Sequence, residues 1–324
     1  MPKISVIIPT YNRKNYLLQA LDSVLGQVDS DFEIIVSDNC STDGTAEVIK
    51  AYLHDPRVRY FRNESNVGMV GNWRKALYDR ARCEWFVLMS DDDYFTDNAY
   101  LTTVAALIDS ADVRLVYAGG HVQDITRGTT TLMLPQYSGV VDGRTVFASR
   151  GKIAPQDFLL CNVFFRRDDA LRLGFLSNDY NLSSDSEFFL KVALEGNVGI
   201  VREPVCVYRV HSGNLTKTVF RSARLVRGNL EHLVLPYAHG VSVKVDPDVL
   251  STFRANSELD KVVRGTLLRL GGYDSEMLEE CRRFLMERAP EVLKKVESDP
   301  LYLLARLLFR CSPRLFRLRF QMGP

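Results

Sequence analysis

Three consecutive carboxylates, Asp91-Asp92-Asp93, are the side chains in this sequence best suited to holding a cation, and we call them the acid turn. They follow the apolar residues 85–89, a pattern that predicts a buried strand ending just before them. Adjacent carboxylates repel each other by on the order of 1 kcal/mol or more per close pair, and a divalent cation removes that repulsion. Such a turn can hold a hard metal ion that keeps water and binds a diphosphate. A solvated acidic turn or a helix N-cap is the alternative, and the position after an apolar strand favours a site.

Two more polar loops, Thr10-Tyr11-Asn12 and Asp38-Asn39, also follow short apolar runs. A side-chain oxygen of Asp38 or Asn39 can accept a hydrogen bond from a nucleobase N–H or from a ribose hydroxyl. The ring of Tyr11 can stack on a base. An Asx turn and a packing aromatic are the structural alternatives for these residues. If the preceding strands are parallel, all three polar loops meet at the carboxyl edge of one sheet, where ligands bind in such folds.

An acidic segment and a histidine later in the chain are further candidates. Asp185 lies in the run Ser184 to Glu187 at the start of a predicted helix. A carboxylate there can take a proton from an attacking hydroxyl, or can simply face the helix dipole. His211 follows the apolar residues 205–210. A lone histidine is more often structural, but a loop position after a strand is compatible with a metal or phosphate role.

The elements that must position these side chains alternate between strand and helix over the first half of the chain. Apolar runs predict strands at 4–9, 32–37, 58–62, 85–89 and 115–118, and helical spacing predicts helices at 16–25, 46–53, 69–81 and 99–108. Repeated βα units with apolar strands predict an α/β fold with a mostly parallel, buried sheet. Later patterns predict strands at 158–166, 198–201 and 205–210, and then helices alone at 218–235, 248–270, 273–288 and 299–311.

Composition excludes several classes of protein. The chain has 324 residues with 41 basic and 40 acidic side chains, and a net charge of +1 argues against a polyelectrolyte for nucleic acid. Its six cysteines form no CxxC pair, which argues against a zinc ribbon or a disulfide framework and fits a reducing cytoplasm. The first apolar run is too short for a signal sequence, and no spanning helix is predicted. The motifs GxxxxGKS/T, GxSxG and HExxH are absent, and no GxGxxG follows the first strand.

The motifs together resemble those of glycosyltransferase family 2, whose members are inverting, nucleotide-sugar-dependent enzymes of the A-type fold. Five segments carry the resemblance: Ile4-Ser5-Val6-Ile7-Ile8-Pro9-Thr10-Tyr11-Asn12, the run IIVSDNCSTDGT at 34–45, Asn66-Val67-Gly68, Ser90-Asp91-Asp92-Asp93, and Ser184-Asp185. Their order and spacing make the resemblance specific over about the first 215 residues. With the helical patterns that follow, it implies a Rossmann-like, mostly parallel sheet and a C-terminal helical annex. We expect a catalytic domain at 1–216, with a nucleotide-sugar-binding half at 1–118 and an acceptor-binding half at 119–216, and a helical region at 217–324.

The resemblance also implies roles for the matched residues. The nucleotide-sugar donor, most often a UDP-sugar in the family, is expected to contact Pro9, Thr10, Tyr11, Asn12, Asp38, Asn39, Asn66, Gly68, Asn72, Asp91 and Asp92. A divalent metal ion, Mn²⁺ or Mg²⁺, is expected on Asp93, Asp91 and His211, with Asp93 the favoured direct ligand. Asp185 matches the family's general base. The implied acceptor is a hydroxyl of a glycan or lipid-linked glycan in bacterial surface polysaccharide synthesis.

Two other classes of protein compete with this interpretation. A nucleotidyltransferase can share a similar sheet, but it needs a glycine-rich, basic phosphate loop where this chain has Pro9-Thr10-Tyr11-Asn12-Arg13. A nucleotide-sugar- or glycan-binding scaffold without transfer activity would not need the acid turn together with Asp185.

The last segment of the sequence is unusually basic. Residues 301–324 contain five arginines and no acid, and Arg306, Arg310, Arg314 and Arg317 recur at helical spacing. Ser312-Pro313 predicts an N-cap and a first-turn proline, and therefore two short helices. A helix packed on the annex, a self-association surface and a peripheral membrane contact through an anionic lipid surface are the three hypotheses for 301–324.

Overall fold

The structure, a computed structural model, describes residues 3–28, 31–110, 112–149, 159–177, 184–214, 223–271 and 274–311. The chain divides into two compact units, which we call the sheet unit and the helical unit. The sheet unit comprises Met1–Val146, Ile153–Asp179 and Glu195–Ser212, and the helical unit comprises Phe147–Lys152, Tyr180–Leu194 and Gly213–Pro324. The segment that carries Asp185 therefore groups with the helical unit. The expected catalytic and C-terminal domains, divided at 216, stay a prediction.

The described residues of the sheet unit form a ten-stranded sheet. Its strands are β1 (Ile4–Thr10), β2 (Phe32–Asp38), β3 (Val58–Arg62), β4 (Trp85–Leu88), β5 (Tyr94–Phe95), β6 (Val113–Asp124), β7 (Thr129–Met133), β8 (Gly139–Asp142), β9 (Phe164–Arg166) and β10 (Asn197–Val210). The main order is β3-β2-β1-β4-β9-β6-β10-β5, with β7 beside β6 and β8 beside β10. The first four strands of that order are mutually parallel, as are β6 and β10, while β9 lies antiparallel between β4 and β6. The predicted α/β fold with a mostly parallel sheet is confirmed.

The central strands owe their place to continuous apolar sequence. Every residue of β1 and of β2 is buried. Val6 pairs with Ile34 of β2 on one side and with Val87 of β4 on the other. Parallel strands of this kind are covered on both faces by the helices of their crossovers, so their sequence is apolar throughout. The three strands therefore deliver the residues after Thr10, Asp38 and Leu88 to the same carboxyl edge.

Among the described residues, six helices accompany the strands in chain order: α1 (Lys14–Leu25), α2 (Thr45–Ile49), α3 (Gly68–Arg74), α4 (Tyr100–Ile108), α5 (Gly143–Ser149) and α6 (Arg167–Leu173). The boundary after Val146 divides α5 between the two units. α1 buries Leu17, Ala20, Leu21 and Val24, the spacing that predicted it. The predicted helix at 69–81 is α3 followed by a π turn over Lys75–Arg80. The predicted strand at 158–166 is confirmed only at β9. It is wrong within 159–163, where a 3-10 turn, Leu160–Asn162, precedes β9.

β10 is longer than the sequence predicted. The two predicted strands at 198–201 and 205–210 are one strand, with register shifts on either side of Pro204, which has no N–H to give the ladder. Its partner β6 runs six residues past the predicted end at 118, through Gly119 and Gly120. A Cβ at Gly119 would lie 2.7 Å from the carbonyl oxygen of Arg202, so the missing side chain lets the two strands approach.

The helical unit contains a helix from the middle of the chain and the C-terminal helices. They are α7 (Ser184–Ala193), α8 (Ala223–Ser242), α9 (Pro247–Asn256), α10 (Leu259–Gly271), α11 (Ser275–Arg288), α12 (Pro290–Glu297) and α13 (Pro300–Cys311). The predicted helix at 248–270 is two helices, because Glu258 between them adopts a left-handed φ of 51°. The predicted C-terminal helical annex is confirmed, whereas the second helix predicted after Ser312-Pro313 lies outside the described residues. Among the helices that the structure describes, none has the length and apolarity needed to cross a membrane.

Candidate active site

The polar loops after β1, β2 and β4 meet at one edge of the sheet, as the sequence predicted. Thr10 Oγ1, at the end of β1, donates a hydrogen bond to Asp91 Oδ2 over 2.7 Å. The backbone N–H of Asn39 donates to the carbonyl of Thr10 over 2.9 Å. Thr10 therefore joins the loop after β2 to the acid turn after β4.

All three carboxylates of the acid turn are buried, and each has different partners. Arg13 Nη1 lies 3.2 Å from Asp91 Oδ1 and 2.8 Å from Asp92 Oδ2. His211 Nε2 lies 2.9 Å from the same oxygen of Asp92. Asp93 Oδ1 accepts a hydrogen bond from the backbone N–H of Arg209 over 3.0 Å. Asp93 Oδ2 is buried and has no hydrogen-bond partner among the described residues.

Burial and the charge of a neighbouring carboxylate raise the pKa values of two residues of the acid turn, Asp91 and Asp93. Burial first, and then the neighbouring Asp92, raise the pKa of Asp91 to about 6, against the opposing effects of Arg13 and Thr10. The same two causes hold the pKa of Asp93 well above its usual range, although the N–H of Arg209 acts in the opposite direction. The turn is therefore a place where bound positive charge is strongly favoured.

The carboxylate oxygens of the acid turn are ligands that suit a hard divalent cation. Mg²⁺ and related ions are bound through one or two carboxylates, with water and substrate phosphate completing the shell. The orphaned oxygen of Asp93 is a buried ligand of this kind, so the residues present fit such an ion. In the described part of the chain no three His, Cys, Asp or Glu side chains form a group that could hold a metal ion. The expected ligand set of Asp93, Asp91 and His211 stays a prediction.

A cation and two aromatic rings hold the end of β10 against the acid turn. The guanidinium of Arg209 lies 4.7 Å from the centroid of the Tyr16 ring and 4.9 Å from that of Tyr94. Its Nη1 donates to Gln19 Oε1 over 2.7 Å, and its Nε donates to the carbonyl of Asp92. His211 stacks on the same Tyr16 ring at 5.1 Å. These contacts set the position of His211, and Arg209 and Tyr16 are site residues that the sequence interpretation missed.

Asp38, expected at the nucleoside, is fully buried and ties its own loop together. Its Oδ1 accepts from the N–H of Ser41 over 2.8 Å, and its Oδ2 accepts from the hydroxyl of Tyr60 over 2.6 Å. Arg62 Nε lies 3.5 Å from Oδ2. Burial and then the hydrogen bond to Asp38 raise the pKa of Tyr60 above its usual value, so the phenol remains a donor.

Asn39 connects the loop after β2 to the loop before α3. Its Oδ1 accepts from Asn63 Nδ2 and from the N–H of Val67 over 3.1 and 3.0 Å. Its Nδ2 donates to Asn66 Oδ1 and to the carbonyl of Gly68 over 2.8 and 3.1 Å. The structure thus brings together Asn39, Asn66 and Gly68, three of the residues expected at the donor.

Asn72 is buried and braces the end of β2. Its Nδ2 donates to the carbonyl of Ser37 over 2.8 Å, and its Oδ1 accepts from Ser37 Oγ and Asn63 Nδ2 over 2.7 and 2.9 Å. Its expected place near the ribose and diphosphate stays a prediction.

The first loop presents one free aromatic ring. Tyr11 is 44% exposed, whereas Pro9 before it is buried in β1. Asn12 has a left-handed φ of 54°, and its Oδ1 accepts from the N–H of Thr42 over 2.7 Å. Asparagine tolerates this conformation better than most residues, which explains its place at the turn. The loop is fixed while the ring of Tyr11 remains open to a ligand.

Asp185 is in the first turn of α7, in the helical unit, and is half-buried. The nearby Glu187 forms an ion pair with Lys191, one helical turn further on, with 2.5 Å between Oε1 and Nζ. Its expected role as a general base stays a prediction.

Comparison with known proteins identifies the family to which this fold, with its three polar loops at the carboxyl edge of the sheet, belongs. The sequence model of Glycosyl transferase family 2 matches residues 5–168, half of the chain and the part that contains all three polar loops. The chain belongs to this family.

The chain has relatives among bacterial glycosyltransferases whose names state their substrates. The chain is 36% identical over 124 residues to the poly(ribitol-phosphate) beta-N-acetylglucosaminyltransferase TarS of Staphylococcus aureus, covering 37% of this chain and 22% of TarS. It is 40% identical over 104 residues to a GalNAc(5)-diNAcBac-PP-undecaprenol beta-1,3-glucosyltransferase of Campylobacter jejuni, covering 32% and 33% of the two chains. The chain thus spans about a fifth to a third of the length of these relatives.

Solved structures share the fold at low sequence identity. TarS residues 1–349 in complex with UDP superpose with a TM-score of 0.62 at 17% identity, covering 99% of this chain and 92% of that one. A mannosyltransferase of Pyrobaculum calidifontis, in complex with GDP-Man and Mn²⁺, gives a TM-score of 0.55 at 19% identity, covering 97% and 88%. The A-type glycosyltransferase fold implied by the sequence is confirmed.

Proposed function

We propose that this protein is an inverting glycosyltransferase. It moves a sugar from a nucleoside-diphosphate sugar to a hydroxyl of a glycan or lipid-linked glycan acceptor in bacterial surface polysaccharide synthesis. The observation that carries the proposal is the buried acid turn with an orphaned Asp93 oxygen, at the edge where the loops after β1 and β2 also end. The family membership and the UDP and GDP-Man complexes of structural neighbours support it.

Different residues at the carboxyl edge of the sheet bind the nucleoside and the diphosphate of the donor. The exposed ring of Tyr11 offers a stacking surface for the base. The loop at Asn66 and Gly68, anchored by Asn39, borders the ribose and diphosphate, and Asp38 keeps the loop after β2 in place. A UDP-sugar is the donor we favour, because TarS, a relative in sequence and fold, binds UDP.

The acid turn holds the charged part of the donor. Asp93 and Asp91, with His211 beside them, would hold Mn²⁺ or Mg²⁺, and Thr10 orients Asp91 by its hydrogen bond. When bound, such a cation neutralises the diphosphate and stabilises the charge that develops on the leaving group. The Pyrobaculum enzyme, of the same fold, was crystallised with Mn²⁺.

Asp185 is the residue that we assign to proton removal. It accepts the proton of the acceptor hydroxyl as that oxygen attacks the anomeric carbon opposite the departing diphosphate. The reaction inverts the anomeric configuration in one step, and acid–base assistance of this kind contributes about 10²–10⁴-fold.

Titration calorimetry with nucleotides tests the proposal and separates it from its rivals. UDP, GDP and dTDP are titrated with Mn²⁺, with Mg²⁺ and with excess chelator, and we expect UDP to bind most tightly, with affinity lost in chelator. A nucleotidyltransferase would instead release pyrophosphate from a nucleoside triphosphate and a sugar 1-phosphate. Binding without turnover of any nucleotide sugar would favour a non-catalytic scaffold.

The exposed face of α13 supports a peripheral membrane contact. Leu301, Leu304 and Leu307 lie on one face and are 65%, 54% and 59% exposed, whereas Tyr302 on the other face is buried. α13 carries Arg306 and Arg310, two of the five arginines in the acid-free sequence 301–324, and an arginine near an anionic bilayer is worth about 1 kcal/mol. An apolar face beside arginines is typical of helices that lie in the membrane interface. We therefore propose that this helix binds anionic lipid at the cytoplasmic leaflet, near a lipid-linked acceptor.

Vesicle co-sedimentation tests the contact. The full chain should pellet with vesicles containing phosphatidylglycerol at low salt and not with phosphatidylcholine alone, and Leu304→Gln with Leu307→Gln should abolish pelleting. Met286→Gln, at an equally exposed apolar residue of α11, is the matched control. If the wild type does not pellet, the membrane hypothesis is wrong and the helix packs within the protein. If only the double variant changes its oligomeric state, the exposed face instead binds a second copy of the chain.

A further inference from the structure

Arg13 lies where positive charge is needed at the acid turn, and the sequence interpretation gave it no role. Its Nη1 contacts one oxygen of Asp91 and one of Asp92, at 3.2 and 2.8 Å. These carboxylates are 5% and 3% exposed, whereas the Arg13 side chain is 27% exposed. Arg13 is therefore the more solvent-accessible partner in both ion pairs.

The backbone contacts of residues 12–14 determine where the side chain of Arg13 begins. Asn12 turns the chain with its left-handed φ, and Arg13 is the N-cap of α1. The carbonyl of Arg13 accepts from the N–H groups of Tyr16 and Leu17, each over 3.0 Å. The N–H of Lys14 donates to Asp43 Oδ2 over 3.0 Å. With the backbone held on both sides, the side chain is the part that can change its position.

Arg209, the second cation at the turn, has a different position and different partners. It is 6% exposed, its guanidinium contacts the rings of two tyrosines, and it donates to the backbone carbonyl of Asp92. Arg209 thus fixes the backbone of the acid turn, whereas Arg13 contacts side-chain oxygens of Asp91, one of the expected ligands of a divalent cation, and of the adjacent Asp92. Arg13 and such a cation cannot both hold these oxygens at full strength, because like charges repel.

We propose that Arg13 is an exchangeable counter-cation of the acid turn. In the donor-free protein it neutralises Asp91 and Asp92, and with a divalent cation bound it releases them and binds the diphosphate of the donor. The diphosphate part of this inference rests on the proposed function, and the counter-cation part does not. Arginine is suited to the exchange, since its planar fork binds carboxylate and phosphate oxygens with similar geometry.

The exchange links the affinities of cation and donor. Without nucleotide, the ion pairs of Arg13 oppose cation binding, and the acid turn stays neutralised. With nucleotide, the released guanidinium gains a phosphate partner, so cation and donor bind with positive coupling. A residue that only kept the acid turn in shape would strengthen the binding of both the divalent cation and the nucleotide. A counter-cation instead weakens the binding of the divalent cation alone and strengthens the binding of the nucleotide.

Equilibrium binding of two probes tests this difference of sign. Free Mn²⁺ is measured by electron paramagnetic resonance with Mn²⁺ alone, and UDP, GDP and dTDP are titrated by calorimetry in saturating Mn²⁺. We expect Arg13→Gln to bind Mn²⁺ alone about three- to tenfold more tightly than wild type, the range of a partly exposed ion pair. We expect the same variant to bind the preferred nucleotide about tenfold more weakly. Arg57→Gln, which removes an arginine paired with Asp55 at the start of β3, should match wild type in both measurements.

The outcomes separate the inference from the proposed function. Unchanged or weaker Mn²⁺ binding by Arg13→Gln overturns the counter-cation role. Tight Mn²⁺ binding by the variant, with no nucleotide bound even by wild type, supports that role and rejects the proposed function. If the glutamine variant does not fold, Arg13→Lys decides: retained charge predicts wild-type Mn²⁺ affinity with weakened nucleotide binding, and any other pattern overturns the proposal.

Discussion

Asp91 is a buried carboxylate whose charge is set by the atoms around it. Its folded-state pKa of about 6 lies above its ordinary value of 3.8, so between these pH values the folded protein binds more protons than the unfolded chain. Its contribution to the free energy of unfolding therefore falls as the pH rises from about 4 to about 6, by on the order of 2 kcal/mol.

Thermal unfolding at several pH values checks this expectation. Without metal ion, wild type should lose more stability between pH 4.5 and 6.5 than Asp91→Asn, which cannot titrate there. Asp109→Asn, at an exposed acid paired with Lys3, should follow wild type. Added Mn²⁺ should stabilise wild type more at pH 7.5 than at pH 5, because Asp91 is ionised at the higher pH. Parallel curves for wild type and Asp91→Asn would contradict the assigned pKa.

Among the elements, the pair of β6 and β10 depends on a glycine. In Gly119→Ala the new Cβ would lie 2.7 Å from a backbone oxygen, which cannot yield as a side chain does. We expect this variant to lose about 1–3 kcal/mol of stability, as in other overpacked cores. Gly265→Ala in α10, where a Cβ meets nothing within 4 Å, should gain up to about 1 kcal/mol. Denaturant unfolding measures both, and equal effects would contradict this account of β6.

The packing of the strands explains which elements could be predicted from the sequence. β1, β2 and β4 were predictable because apolar runs between polar loops suffice to specify buried parallel strands. β10 was not predictable as one strand, since its continuity across Pro204 depends on pairing with β6, a partner about 85 residues earlier in the chain. The polar loops were found by their position after strands. Arg209 and Tyr16 were missed because the contact that joins them depends on the tertiary fold.

On the scale of the whole molecule, the two expected catalytic centres belong to different units. The acid turn is in the sheet unit, and Asp185 is in the helical unit. We expect Asp185→Asn to lower kcat by at least about 10²-fold while donor binding stays near wild type, because the change removes proton transfer and leaves the edge of the sheet intact.

Glu187→Gln is the matched control for that variant, since it removes the other carboxylate of the same helical turn and an ion pair with Lys191. Steady-state kinetics with separate donor titration distinguish the two carboxylates. Near wild-type turnover by Asp185→Asn, with an inactive Glu187→Gln, would show that the base was assigned to the wrong residue.

The central claim is that the acid turn supports sugar transfer from a nucleotide sugar, and release of nucleoside diphosphate tests it most directly. A panel of UDP-, dTDP- and GDP-sugars is incubated with wild type, Asp93→Asn and the control Asp109→Asn, with water as the acceptor of the sugar and with Mn²⁺ or excess chelator. We predict Mn²⁺-dependent release by wild type and the control, and at least about 10²-fold less by a folded Asp93→Asn. Full activity in excess chelator, or wild-type activity of Asp93→Asn, would contradict the account.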